Sequence, residues 1–115
     1  MSKVLLLNTT IASGLPSAGE PDALYRVSAP VSAGEAREAL DGIETDSAIG
    51  HESTAAALAT LLGREVPVDR QFAKQAVGQR ALVLKIRGRL PEGQILDAAA
   101  LESIGYYLLW MTREA

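Results

Sequence analysis

The stretch Ala81-Leu82-Val83-Leu84-Lys85-Ile86 is the feature that most constrains this chain. A short, almost continuously apolar run rich in β-branched and aliphatic residues reads as a strand inside a sheet covered on its faces, not as an exposed ribbon. Val4 to Leu7 is a second run of the same kind, and Asn8-Thr9-Thr10 ends it with small polar groups. Two such strands need layers to bury them. The segments between them supply short helices: Ser32 and Glu35 form a capping box ahead of a helix over Ala33 to Leu40, stopped before Gly42.

The remaining punctuation completes a mixed pattern. Pro16, Gly19 and Pro21 place a loop between Gly14 and Asp22, followed by a strand over Leu24 to Ser28 and a brief strand over Thr45 to Ile49. Gly50-His51-Glu52-Ser53 then leads into a helix from Thr54 to Leu62, with Leu58, Leu61 and Leu62 on its apolar face and Gly63 as its stop. Val66-Pro67-Val68 is extended, and Pro67 makes it an edge strand or a connector. Gln71 to Lys74 and Arg80 to Arg87 are expected to be two arms of a hairpin around Ala76-Val77-Gly78-Gln79, and Arg89-Leu90-Pro91-Glu92-Gly93 to be a turn. Asp97 caps a short helix to Ser103, and Gly105 to Met111 is apolar enough for a final strand or a helix, with strand preferred because Tyr106, Tyr107 and Trp110 favour sheet and Gly105 interrupts a helix. Interleaved strands and short helices imply an α+β fold, a mixed β-sheet flanked by helices, in one domain spanning 1–115.

Composition narrows the possible functions. With 115 residues, 48% of them hydrophobic and 22% charged, the chain can bury a core and has too little self-repulsion to stay disordered. It has no cysteine, which removes thiolate metal sites, disulfides and cysteine nucleophiles. A net charge of −3 argues against long nucleic acid as a partner, since phosphate-dominated affinity needs a basic face. A few arginines converging in one place can still hold a small anion. No apolar stretch approaches the roughly 18 to 20 residues that cross a bilayer, so no membrane partner and a cytoplasmic location are expected.

His51 is the only histidine, set just ahead of a helix whose first N–H groups have no partner one turn earlier. A phosphate arriving there meets donors and a favourable dipole, with the Ser53 and Thr54 hydroxyls nearby and an imidazole able to give up a proton near neutral pH. His51 could equally be a surface histidine partly capping the helix. Asn8 could hydrogen-bond a sugar or phosphate, or simply form a turn. Arg70, Arg87 and Arg89 surround the expected hairpin, and a guanidinium fork fits phosphate oxygens in bidentate fashion. Glu92 follows Arg89 at the spacing of an ion pair across a turn, to orient that arginine or to move a proton. Glu35, Arg37 and Glu38 read as a solvated helix face. One histidine without cysteine makes a metal site improbable, and no cofactor is expected.

Several of these segments together resemble a known family. Ser47-Ala48-Ile49-Gly50-His51-Glu52-Ser53-Thr54-Ala55, then Leu61-Leu62-Gly63, Val66-Pro67-Val68-Asp69-Arg70, Gly78-Gln79-Arg80-Ala81-Leu82-Val83 and Arg89-Leu90-Pro91-Glu92-Gly93 are similar to the small viral and prokaryotic ring nucleases, which include type III anti-CRISPR proteins. The likeness runs from the strand end at Asn8 to the terminal aromatic segment. It implies a homodimer with a mixed sheet that binds cyclic tetra-adenylate, the second messenger of type III CRISPR defence, across its interface. By that resemblance His51 is the functional histidine, Arg70 and Arg89 contact the ligand, Glu92 is the functional glutamate and Asn8 the strand-end asparagine. Asp69 departs from the Asn that many relatives carry, bringing a carboxylate close to an anionic ligand.

The residues suit such chemistry. A ribose 2′-OH is an internal nucleophile, so a protein cleaving a 3′-5′ phosphodiester has mainly to align that oxygen with the leaving 5′-oxygen and stabilise the growing charge. A histidine acid, arginine clamps and helix N–H donors can do this without metal. Two other readings stay open: a non-catalytic module that binds or sequesters the ring, and a small regulatory homodimer in which His51 only caps a helix.

Overall fold

The computed structural model describes residues 3–9, 16–71, 74–88 and 96–115. In chain order these form β1 (Val4–Leu7), β2 (Tyr25–Val27), α1 (Ala33–Ala39), β3 (Thr45–Ser47), α2 (Glu52–Leu62), β4 (Arg80–Ile86), α3 (Ala98–Ile104) and β5 (Tyr106–Arg113). The strands make one mixed sheet in the order β2-β5-β4-β1-β3. β1 lies parallel to both β3 and β4, while β5 runs antiparallel to β4 and β2. The two apolar runs are therefore neighbours at the centre, with Leu6 opposite Leu82.

Alternation along these strands divides the core between two faces. Val4, Leu6, Leu82, Leu84 and Leu108 pack with Ala36 and Leu40 of the α1 region, Leu58 and Leu61 of α2, and Leu101 of α3. Leu5, Leu7, Ala81, Val83, Leu109 and Met111 form a second cluster on the opposite face. Both rows of β1 and β4 are buried, which is why their sequences lack a polar alternation. Helix ends follow local chemistry: Glu35 N–H donates to Ser32 Oγ at 3.1 Å, Ala100 N–H donates to Asp97 Oδ1 at 2.8 Å, and α2 stops at Gly63.

The described parts of the connection from α2 to β4 are tied to two different strands of the sheet. At the β3 edge the Gln71 amide donates to the Ser47 carbonyl at 2.6 Å and to Asp46 Oδ1 at 3.0 Å. Two strands beyond β1, the buried Gln75 amide donates to the carbonyls of Met111 and Gln79, and Arg113 Nη1 donates to the Gln75 carbonyl at 2.7 Å. This arrangement replaces the expected hairpin. Gln71 and Lys74 to Gln79 form no strand, Phe72 and Ala73 of the expected arm lying outside the described residues; the Gln71 and Gln75 amides bond to carbonyls of β3 and β5, and both edges of β4 are taken by β1 and β5.

Smaller differences have equally local causes. Helix α2 begins at Glu52, two residues before the expected Thr54, because His51 adopts the extended cap conformation with φ −119° and ψ 128°. The third strand stops at Ser47, whose Oγ accepts from Ile49 N–H at 3.3 Å and turns the chain. Of the two readings of Val66 to Val68, the structure has the connector and not an edge strand. The terminal segment is a strand, the alternative its aromatic residues favoured over a helix, and it runs on to Arg113. Among the described residues no helix is long and apolar enough to cross a membrane.

Candidate phosphate-binding edge

Because β3, β1 and β4 are parallel, their carboxyl ends emerge at one edge of the sheet, where ligands commonly bind in open sheets of this kind. Asn8 follows β1 there, half-buried, and the Ala48 to His51 turn follows β3. These two segments are tied together: Ala48 N–H donates to the Leu6 carbonyl at 3.0 Å. Ile49, fully buried, anchors the turn in the core.

Arg70 comes to the same turn from 20 residues further along the chain. Asp69 N–H donates to the Ile49 carbonyl at 2.9 Å, and Arg70 Nη2 donates to the Gly50 carbonyl at 3.2 Å. The arginine side chain lies across Gly50, where a Cβ would sit 3.1 Å from both Arg70 Cγ and Nε. The next residue, His51, is exposed and is the N-cap of α2, but its side chain makes no capping hydrogen bond. His51 is thus a surface residue at the N-cap position that serves the helix through its backbone and not through its ring. Its carbonyl starts the helix, accepting from Ala55 N–H at 3.0 Å.

Ser53 and Thr54 occupy the first turn of α2 and are half-buried. Their helix is rigidly seated, since Ala55, Leu58, Leu61 and Leu62 are all buried in the core. The N-terminal dipole and the N–H groups of this turn thus face the edge that carries Arg70 and His51. Gln71 is a residue that motif reasoning missed: its amide also meets Asp69 Oδ2 at 3.3 Å, pinning the Asp69-Arg70 corner to β3. A glutamine beside an arginine gives no periodic or motif signal. Asp69 is thereby engaged by a neutral donor beside the arginine.

Asn8, Ser53, Thr54, His51 and Arg70 are therefore collected at one edge. Arg89 and Glu92 lie outside the described residues. Arg87, the other arginine weighed with them, stands apart: its backbone N–H donates to the Gly105 carbonyl at 2.8 Å and its side chain lines a groove on the helical side of the sheet. Two further grooves, one beside Lys3, Glu44 and Arg80 and one beside Asp41 and Arg64, are likewise lined by residues other than Asn8, His51 and Arg70. The candidate site is therefore located by its side-chain chemistry and not by these three grooves. Among the described residues no group of three or more histidine or acidic side chains is placed to hold a metal ion.

Comparison with known proteins agrees with this architecture. B116 of Sulfolobus turreted icosahedral virus has the same fold, with a TM-score of 0.77 over 96% of this chain and 99% of that one, at 23% identity. Protein ORF117 of Acidianus two-tailed virus is 40% identical over 86 residues, 72% of this chain and 74% of the viral protein. Protein 26 of a Sulfolobus islandicus filamentous virus is 35% identical over 78 residues, 67% of this chain and 65% of that protein. The STIV B116-like family model matches residues 4–108, and the chain, related to these viral proteins, belongs to the STIV B116-like family.

Proposed function

We infer that the chain is a metal-independent ring nuclease that opens cyclic tetra-adenylate and so switches off type III CRISPR signalling in the cytoplasm of the cell it acts in. The reading rests on the sequence resemblance and on one observation above all: Arg70 is held across Gly50, next to an exposed His51 at the start of a well-seated helix. That grouping offers a cation, N–H donors and a proton donor to one phosphodiester.

In the proposed reaction the ribose 2′-oxygen attacks phosphorus, its proton passing to a base, and the bond from phosphorus to the 5′-oxygen breaks. The His51 imidazolium donates its proton to that departing oxygen. Arg70 and the first N–H groups of α2 stabilise the charge that accumulates on the phosphorane oxygens. Asn8, Ser53 and Thr54 orient the ring, and Arg89 and Glu92 complete the set, the glutamate as orienting group or base. The products carry a 2′,3′-cyclic phosphate on one side of the cut and a 5′-hydroxyl on the other.

A four-phosphate ring presents more charge than one histidine and one such edge can meet. Two-fold pairing of subunits doubles the available groups, which supports a homodimer with the ring on or near its axis. The second reading, a module that binds the ring without cutting it, draws on the same Arg70 and helix terminus and needs no proton transfer. Incubating the protein with cyclic tetra-adenylate in chelator and resolving the products separates the two. Linear products with 2′,3′-cyclic phosphate ends support the nuclease, whereas an intact ring that stays bound supports the binding module.

A further inference from the structure

Seven arginines fall among the described residues, and five are engaged. Arg26 pairs with Glu114 at 2.7 Å, Arg64 donates to the Leu40 and Ile43 carbonyls, and Arg70 donates to that of Gly50. Arg80 lies over the Trp110 ring at 4.4 Å, and Arg113 donates to the Gln75 and Ala115 carbonyls. The side chains of the remaining two, Arg37 and Arg87, have no hydrogen bond, ion pair or ring contact among the described residues. Both line the same groove, of about 810 Å³, on the helical side of the sheet.

The groove's other walls make it selective. Leu61 of α2 and Val31 supply an apolar floor, α3 supplies Glu102, and β5 supplies Tyr106. The Arg87 stem is positioned by Gly105, the residue between α3 and β5: besides the backbone bond to it, the Arg87 Cδ would lie 3.1 Å from a Cβ at Gly105, a residue with φ +93°. Partial burial, reinforced by the Glu102 carboxylate, raises the Tyr106 pKa above its ordinary value, so the phenol remains a neutral donor.

We propose that this groove binds a nucleoside monophosphate, with Arg37 and Arg87 on the phosphate and the base over the Leu61, Val31 and Tyr106 surface. Two guanidinium groups match the roughly −1.5 to −2 charge of a phosphate monoester and bind its oxygens through forked hydrogen bonds. Glu102 accepts from an exocyclic amine, as on adenine. An apolar floor and a tyrosine ring suit a planar heterocycle better than a second phosphate. The site uses none of the residues at the His51 edge and stands independently of the ring-cleavage reading.

The test is a titration of the intact protein with AMP, adenosine and inorganic phosphate in parallel, following backbone amide resonances. Saturable AMP binding is expected, with the largest shifts at Gly34, Gly105 and Tyr106 and with adenosine and phosphate each binding more weakly. Arg37→Ala and Arg87→Ala should each weaken AMP by about tenfold or more, as loss of a charged hydrogen bond does. Arg70→Ala, at the other site, should leave AMP affinity intact. Both groove arginines are exposed, and Arg87→Lys, which keeps the charge without the fork, provides a second variant intermediate in affinity. The proposal is overturned by absence of saturable AMP binding at millimolar concentration, by unchanged affinity in both alanine variants, by loss of binding in Arg70→Ala, or by inorganic phosphate binding as tightly as AMP.

Discussion

Arg70 and Gly50 are fitted to one another: the guanidinium donates to the Gly50 carbonyl at 3.2 Å, and its stem occupies the space that a Cβ on Gly50 would need. Gly50 has an ordinary backbone conformation, so the absence of a side chain there serves the arginine and not the turn. Arg70→Ala should weaken binding of cyclic tetra-adenylate by about ten- to a hundredfold. Gly50→Ala should act in the same direction and less strongly, because the displaced arginine keeps its charge. Arg37→Ala, away from this edge, should leave ring binding unchanged. Calorimetry on the three variants checks the ordering, and equal effects at Arg70 and Arg37 would contradict it.

The stability of the edge depends on how firmly α2 is seated. Leu58 is fully buried between the helix and the central strands. Leu58→Ala should cost about 2 to 5 kcal/mol, the sum of lost transfer energy and the cavity left behind. Urea unfolding measures it, and a change of a few tenths of a kcal/mol would mean that the helix is not packed as described.

Tyr106 provides a pH signature. Partial burial first, and the Glu102 carboxylate second, raise its pKa above the ordinary 10.0 in the folded state, with Arg37 opposing them. A raised folded value means that its contribution to stability is complete below the unfolded pKa and is lost as pH rises through the folded one. Melting temperature followed from about pH 9 to about pH 12 should therefore fall less steeply in Tyr106→Phe than in the wild type. Parallel curves would remove this role from Tyr106.

Cleavage should continue in the presence of chelator, because the proposed chemistry uses an internal 2′-hydroxyl, an imidazolium and fixed cations. A rate abolished by chelator and restored by a divalent ion would require a different mechanism.

Local chemistry made much of this fold legible. The Ser32 and Asp97 caps, the stop at Gly63 and the two apolar runs all appear where their residues predict them, because each depends on neighbours within a few positions. The aromatic final strand was legible for the same reason. The hairpin expectation failed because Gln71 and Gln75 make their bonds to carbonyls 24 and 36 residues away, contacts that leave no periodic trace. The site shows the same division. His51, Ser53 and Thr54 could be placed at the start of a helix from local sequence, whereas the approach of Arg70 to Gly50 and its tether through Gln71 are tertiary. Arg37, read as part of a solvated helix face, proves to share a groove with Arg87 only once α1 and the end of β4 are brought together.

The central claim is that His51 protonates the leaving 5′-oxygen, and single-turnover cleavage of cyclic tetra-adenylate by His51→Ala, normalised to folded protein, tests it most directly. His51 is exposed and makes no capping bond, so its removal should leave folding and ring binding largely intact. Loss of general acid catalysis should lower the rate by about 10² to 10⁴, with wild-type products ending in 2′,3′-cyclic phosphate and 5′-hydroxyl. A near-normal rate in the folded variant, or 5′-phosphate ends from the wild type, would contradict the account.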